Sequence, residues 1–310
     1  FSIALLALLA GTVVGQCTAV ATPATHTMCG GGPVQFNAVG SNGTGPYQYS
    51  WSPPTGLSDP AISNPVCTVG VSTTYTVTIT DQSGATCSDQ VDVTILPTAS
   101  AVLTSSNSQF TNFNGVPTFY KCLSNATSLF TFDPAGAALP GSTHTIDWGD
   151  GSPNFVATGT TWPQQAHTYS QGIHTITYSI TQPNGCNDVS TFSVFLGTNP
   201  SGSLDNPGGT VGCGPLTLTF PISAGNNTPG TLYIITFNDG TAPITYSHPP
   251  PPNIPHVFST GSCGTTSTDG TNTYQHSFSA NLLIVNPCGT SGSTVLPISV
   301  SLMPTAAFTI

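Results

Sequence analysis

Apolar and polar residues alternate along much of this chain. In Val34-Gln35-Phe36-Asn37-Ala38 the apolar side chains fall on one side of an extended backbone. Tyr75, Val77 and Ile79 do the same against Thr74, Thr76, Thr78 and Thr80, and Leu216, Leu218 and Phe220 against Thr217 and Thr219. A period of two belongs to a strand with one buried face. Threonine suits the wet face because its branched β-carbon favours extended backbone. Clusters of Gly, Pro, Asn and Asp separate these runs at the spacing of sandwich loops. The pattern predicts an all-β protein.

Two terminal stretches break the pattern. FSIALLALLAGTVVG, residues 1–15, is almost unbroken apolar sequence, too short to span a bilayer comfortably. It reads as the core of a secretory signal peptide, with small residues Val13 and Gly15 placed for a cut before Gln16. Two other readings stand beside it: a lipoprotein acylated on Cys17, against which bulky Gln16 argues, and a retained strand that completes the sheet of a neighbouring subunit. At the other end, MPTAAFTI reads as the first strand of a further repeat.

Composition narrows the function classes. The chain has 310 residues, of which 4% are charged, against about 25% in ordinary soluble domains. Every acid is Asp, and Lys121 is the only basic residue apart from histidine. Helices carried by Glu/Lys pairs are therefore excluded, as is a nucleic-acid surface, which needs clustered Lys and Arg. No membrane span is expected. The length suits three sandwiches, at 16–97, 98–198 and 199–303, joined by the connectors LPTAS (96–100) and LGTNP (196–200), with 304–310 opening another.

Nine cysteines without zinc-type spacing point to disulfides and export. Their positions repeat: one opens an early strand and another closes a late one. This predicts the bridges Cys29–Cys87, Cys122–Cys186 and Cys213–Cys288, with Cys17–Cys67 as an extra pair in the first unit and Cys263 unpaired.

The stretch DWGDGS at 147–152, followed by HTYSQGIHTITYSIT at 167–181, resembles a polycystic kidney disease (PKD) domain, a seven-stranded immunoglobulin-like sandwich. PYQYSWSPPTGLSDPAISNP with STTYTVTITDQSGATC is similar to the PKD-like repeats of bacterial surface proteins exported by type IX secretion, including gliding-type adhesins. The third unit resembles another variant, with FNDG in place of WGDG, and the first has no GDG. The resemblance implies tandem sandwiches in an extracellular, cell-surface protein. It makes Trp148, Gly149, Asp150, Gly151, His167 and Tyr169 fold residues: glycines for positive φ, Asp150 as hydrogen-bond acceptor across the turn, Trp148 facing inward in phase with Ile146, and His167 and Tyr169 opening the strand that closes the sandwich.

The same residues offer functional alternatives. Asp147 and Asp150, helped by His167 or His174, form a candidate acid pair, but acids straddling a turn are usually solvated rather than convergent. The stretch lacks the D-x-[DN]-x-[DN]-G calcium pattern, so no cofactor is expected beyond the weak calcium binding seen at junctions in some PKD-bearing enzymes. His248 and His256 flank PPPPNIP, which reads as a polyproline loop. Trp162, beside Pro163 in a loop, is the candidate sugar contact, whereas Tyr47, Tyr49 and Trp51 share one strand face and read as core. Asn42, Asn125 and Asn226 sit in N-x-[ST] sequons. HExxH, GxSxG and a phosphate loop are all missing from the sequence. The expectation is a non-enzymatic structural segment, an adhesin stalk or fibril subunit, whose partners are further repeats, other copies of itself and surface glycans. An accessory region of a secreted polysaccharide- or protein-degrading enzyme and a carbohydrate-binding module are the alternatives.

Overall fold

The computed structural model describes residues 17–302, so residues 1–16 and 303–310 fall outside it, and with them the readings of 1–15 and 304–310. Between these limits the described residues form strands, turns and loops without a helix. The alternating runs are strands with the expected face buried: Tyr75, Val77 and Ile79 have no exposed surface, while the threonines between them reach it. No helix among the described residues is long and apolar enough to cross a membrane.

The strands form three two-sheet sandwiches of immunoglobulin-like type. In the first, Thr25–Cys29, Thr86–Leu96, Thr73–Thr80 and Gln48–Ser52 lie side by side, facing the pairs Thr18–Thr22 with Asn37–Ser41 and Gly32–Gln35 with Val66–Val69. Phe36 sits at the centre, 5.3 Å from both the Trp51 and Tyr75 rings. The second has a six-stranded sheet that includes Val116–Cys122, Asn187–Gly197, Gly172–Thr181 and Thr143–Asp147, facing Gln165–Ser170, Thr127–Pro134 and Leu103–Thr104. In the third, Val211–Cys213, Gly289–Ser301, Phe278–Asn286, Leu232–Phe237 and Ile244–Ser247 face Ser203–Leu204, Leu216–Ser223 and Asn253–Phe258. Its core gathers Phe220, Tyr233, Phe258 and Ile284. By compactness the chain divides into residues up to Ala99 together with Gln182–Asn187, and Ser100–Thr181 together with Asp188 onward.

One pairing recurs in all three sandwiches and decides the disulfides. An early strand runs parallel to the last strand, so that Cys29 lies opposite Leu96, Cys122 opposite Gly197 and Cys213 opposite Ser301. The other cysteine of each sandwich sits at the beginning of that last strand: Cys87 within Thr86–Leu96, Cys186 just before Asn187–Gly197, and Cys288 just before Gly289–Ser301. At ~3.3 Å per residue the two ends of an eleven-residue strand are roughly 30 Å apart, far beyond the roughly 7 Å Cα limit of a disulfide. The expected bridges Cys29–Cys87, Cys122–Cys186 and Cys213–Cys288 are thus corrected. The bonds observed are Cys17–Cys87, Cys29–Cys186 and Cys122–Cys288. Cys17–Cys67 is corrected too: Cys67 is a free thiol buried in the first core opposite Val34, where burial pushes its pKa up. Cys213 and Cys263 are free and exposed.

Candidate functional site

The Asp-Gly turn of the second sandwich is a closed lock. Asp147 ends the strand Thr143–Asp147 and accepts a hydrogen bond from the Gly149 N–H at 2.9 Å. Gly149, at φ 72°, lies so close to Thr175 that a Cβ would stand 1.8 Å from its carbonyl oxygen, so this position admits only glycine. Asp150 takes the Ser152 N–H at 3.0 Å and the Ser152 hydroxyl on Oδ1, and His167 Nε2 on Oδ2 at 2.7 Å. The His167 ring stacks on Trp148 at 4.5 Å between centroids, and the Tyr169 hydroxyl donates to the Trp148 carbonyl at 3.1 Å. Burial opposes ionisation of Asp150, but the hydrogen bonds from His167 and Ser152 outweigh it and hold the carboxyl well below the usual range.

The third sandwich repeats the lock with other residues. Asp239 accepts from the Thr241 N–H at 3.1 Å, the Thr241 hydroxyl at 2.7 Å and His256 Nε2 at 2.7 Å, and His256 stacks on Phe237 at 3.6 Å. Here too burial raises and the hydrogen bonds lower the carboxyl pKa, with the lowering dominant. His256 therefore belongs to a strand, Asn253–Phe258, rather than to a polyproline loop: it pairs with Leu218 while Pro255 faces out. The missed signal was in the sequence. Asp-Gly-Ser/Thr is followed by a histidine 17 positions after the aspartate in both units.

These groups do not assemble a catalytic relay. Ser152 Oγ lies 3.3 Å from the same His167 nitrogen that holds Asp150, whereas a nucleophile and an orienting acid occupy opposite ring nitrogens. His174 turns instead to the Ser170 carbonyl. Trp162 also departs from expectation. It is buried, edge-on to Phe155, and its Nε1–H donates to the Tyr178 hydroxyl at 3.2 Å. Tyr178 in turn meets His144 Nδ1 at 2.7 Å, and His144 Nε2 meets the Gly159 carbonyl at 3.0 Å. A ring enclosed in this buried chain has no face to offer a sugar, so the assignment of Trp162 as a sugar contact is corrected. Among the described residues no three His, Cys, Asp or Glu side chains converge as metal ligands. The sequon residues Asn42, Asn125 and Asn226 are exposed.

The strongest repeated constellation surrounds two of the disulfides. Within the first compact unit, Cys29 is bonded to Cys186, and the side chain of Asn184 donates to the Pro97 carbonyl at 3.0 Å while accepting the Cys186 N–H at 3.0 Å. Within the second unit, Cys122 is bonded to Cys288, Asn286 donates to the Thr198 carbonyl at 3.0 Å, and the Cys288 N–H donates to Asn286 at 2.9 Å. The registers coincide: Pro97 and Thr198 each follow the residue opposite the bridged early-strand cysteine. Each such bond joins the early strand of one sandwich to the hairpin before the last strand of the next in sequence. Asn184 and Asn286 went unnoticed in the sequence, although Asn-Gly-Cys and Asn-Pro-Cys share one spacing.

No protein-family profile matches the chain, and no curated protein matches it. Solved structures are similar to it at low sequence identity. Sidekick-1 immunoglobulin domains 1–5 match with 10% identity over 94% of this chain and 61% of that one, TM-score 0.29. A Ca2+-stabilized adhesin with which an Antarctic bacterium binds ice matches with 12% identity over 94% and 75%, TM-score 0.26. Titin domains A168–A170 match with 10% identity over 87% and 94%, TM-score 0.23. The chain spans about three fifths of the Sidekick-1 structure.

Proposed function

We propose that this chain is a structural segment of a secreted, multi-domain bacterial surface protein, acting as an adhesin stalk or extracellular fibril subunit built from PKD-like repeats of the kind exported by type IX secretion. The observation that carries the reading is the repeated coupling of one sandwich to the next by a disulfide and an asparagine. Such couplings resist pulling and survive only in an oxidising compartment. A surface with so few charges and so many hydroxyls and amides also suits export. The aspartate-histidine pairs are locks of the fold, and no catalytic role is proposed for them.

The test is to label intact, unpermeabilised cells with antibodies to residues 17–302 and to delete the gene. The reading expects external label, loss of attachment or fibrils on deletion, and unchanged polysaccharide and protein degradation. Label only after permeabilisation, or a loss of degradation with attachment intact, overturns it.

A further inference from the structure

The second sandwich carries a strand that the other two lack. Its larger sheet ends on Gln109–Phe113, outside Val116–Cys122. The corresponding sheets of the first and third sandwiches end on Thr25–Cys29 and Val211–Cys213, the strands parallel to the last strand. A sandwich of this type closes without the extra strand, which is therefore open to another role.

That strand overhangs the core. The facing sheet has three strands against six, and its own edge is the two-residue Leu103–Thr104. Phe110 packs on Phe119 at 5.1 Å between ring centroids, yet it stays 59% exposed. Around it lies an apolar trough of about 430 Å³, lined by Val102, Leu103, Pro117, Phe119 and Phe192.

The backbone of the strand is open as well. The hairpin turns on Asn114-Gly115, both at positive φ, and pairs Phe113 with Val116, Thr111 with Thr118 and Gln109 with Tyr120. In a two-residue hairpin the closing pair is hydrogen-bonded and every second pair is not. Phe110 and Asn112 therefore direct their N–H and C=O groups away from the hairpin. Pro117, which has no N–H, stands opposite Asn112, as fits a pair without hydrogen bonds. Natural edge strands are guarded by Lys, Pro, bulges or inward charges. Gln109-Phe110-Thr111-Asn112-Phe113 has none of these, and its register with Val116–Cys122 is unbroken.

Charge and register select the occupant. Neither the strand nor the trough lining bears a charged side chain, so a charged partner would be desolvated there without a counter-ion. A second copy of the strand brings no charge. It also matches itself: antiparallel about a two-fold axis at Thr111, Phe110 of each copy faces Asn112 of the other and Gln109 faces Phe113, so the outward N–H and C=O groups of both residues are paired. Registers centred on Phe110 or Asn112 would instead call on Ser108 or Asn114, outside the strand. The Thr111 register also makes the two Phe110 rings diagonal neighbours on one face, over the joined troughs.

We propose that Gln109–Phe113 is a self-association surface, through which the second sandwiches of two copies join their sheets in an antiparallel register centred on Thr111. The proposal rests on the reading of the chain as a fibril subunit and deepens it by naming a contact between subunits. The edge is only ~17 Å long, and one phenylalanine covers at most ~250 Å², short of the ~800 Å² per partner of a stable dimer. The contact is thus weak for a single pair and effective where many copies lie side by side.

Cysteine trapping of the full chain tests it, in a Cys213→Ser, Cys263→Ser background that removes the exposed free thiols. Two Thr111 residues on the axis form a pair without hydrogen bonds, with Cα atoms ~4.5 Å apart, within disulfide reach. Oxidation of concentrated or fibrillar Thr111→Cys protein should give at least about tenfold more covalent dimer than Gln109→Cys, whose copies stand ~14 Å apart in this register. Sedimentation of the parent should show concentration-dependent association. Asn112→Pro, which removes only an outward N–H, and Phe110→Lys should abolish it with the melting temperature retained. A parent that stays monomeric at every concentration, equal trapping at Gln109→Cys and Thr111→Cys, or Thr111→Cys trapped on a different protein overturns the proposal. Absent trapping with the external antibody label intact strikes this contact alone, whereas loss of the external label strikes the surface-protein reading.

Discussion

The hairpin before the last strand does two different jobs in this chain. In the first sandwich it is tied within its own domain: Asp81 is buried and accepts from the N–H groups of Ser83 and Ala85 in its turn and of Thr44 in a neighbouring loop, and from the Ser83 hydroxyl, and Cys87 is bonded to Cys17. In the second and third sandwiches Asn184 and Asn286, in the turn itself, reach the carbonyl of a preceding connector, with Cys186 and Cys288 bonded to earlier strands. The change of chemistry fits the change of task. A carboxylate only accepts and gathers N–H groups of its own sandwich, whereas a carboxamide accepts from its own hairpin and donates to the carbonyl of another segment at the same time. The positions differ as well: Gln182, whose carbonyl receives the Gly185 N–H as that of Asp81 receives the Gly84 N–H, holds the place of Asp81, and Asn184 that of Ser83.

Breaking the connector disulfides gives the largest expected effect. Removing Cys29–Cys186 or Cys122–Cys288 as paired serine variants should cost about 5 kcal/mol each in the chain-entropy account, because the closed loops are 157 and 166 residues long. Cys17–Cys87, closing 70 residues, should cost about 4 kcal/mol. Denaturant unfolding of the three double variants checks the order.

Next comes Trp162, whose replacement by alanine should cost about 3 kcal/mol because it leaves a cavity beside Tyr178. A solvent-facing sugar contact would instead leave the unfolding midpoint unchanged.

Asn184→Ala should cost about 1–2 kcal/mol, and the loss should couple to the nearby bond. In a Cys29→Ser, Cys186→Ser background its effect should shrink, as a double-mutant cycle would register. Asp81→Asn has no such partner and should show the same loss in both backgrounds.

Much of the fold was legible in the sequence because it depends on local alternation. Threonine against Tyr75, Val77 and Ile79 specifies a half-buried strand whatever lies elsewhere, and Trp148 in phase with Ile146 is buried. The disulfide partners were not legible, because they depend on the direction of a non-local pairing. Cys29 and Cys87 flank one sandwich in sequence, and only the parallel register with Leu96 shows that they stand at opposite ends of a strand. His256 was hidden for a related reason: extended polyproline and strand look alike in Pro-Asn-Ile-Pro, and the pairing with Leu218 decides between them.

Acid should distinguish the aspartate-histidine locks from their asparagine variants. The folded carboxyls of Asp150 and Asp239 are lowered, so their stabilisation is complete above the unfolded carboxyl pKa, about 3.9, and is lost as pH falls from there toward the folded values. Between pH 6 and pH 2 the unfolding midpoint of the parent should therefore fall more than that of Asp150→Asn. The smallest effect is expected at Asn125, exposed in its sequon, where Asn125→Gln should change stability by less than about 0.5 kcal/mol.

The coupling of successive sandwiches has one direct measurement. Lys121 is the only tryptic site of the sequence, and it lies between Cys29 and Cys186. The thiol-blocked, unreduced protein is unfolded in mild denaturant, cut with trypsin and run on a denaturing gel. Because Cys29–Cys186 bridges the cut, the two fragments should stay together and separate only after reduction. Two fragments that separate without reductant would mean that each sandwich closes its cysteines on itself, and would contradict the account.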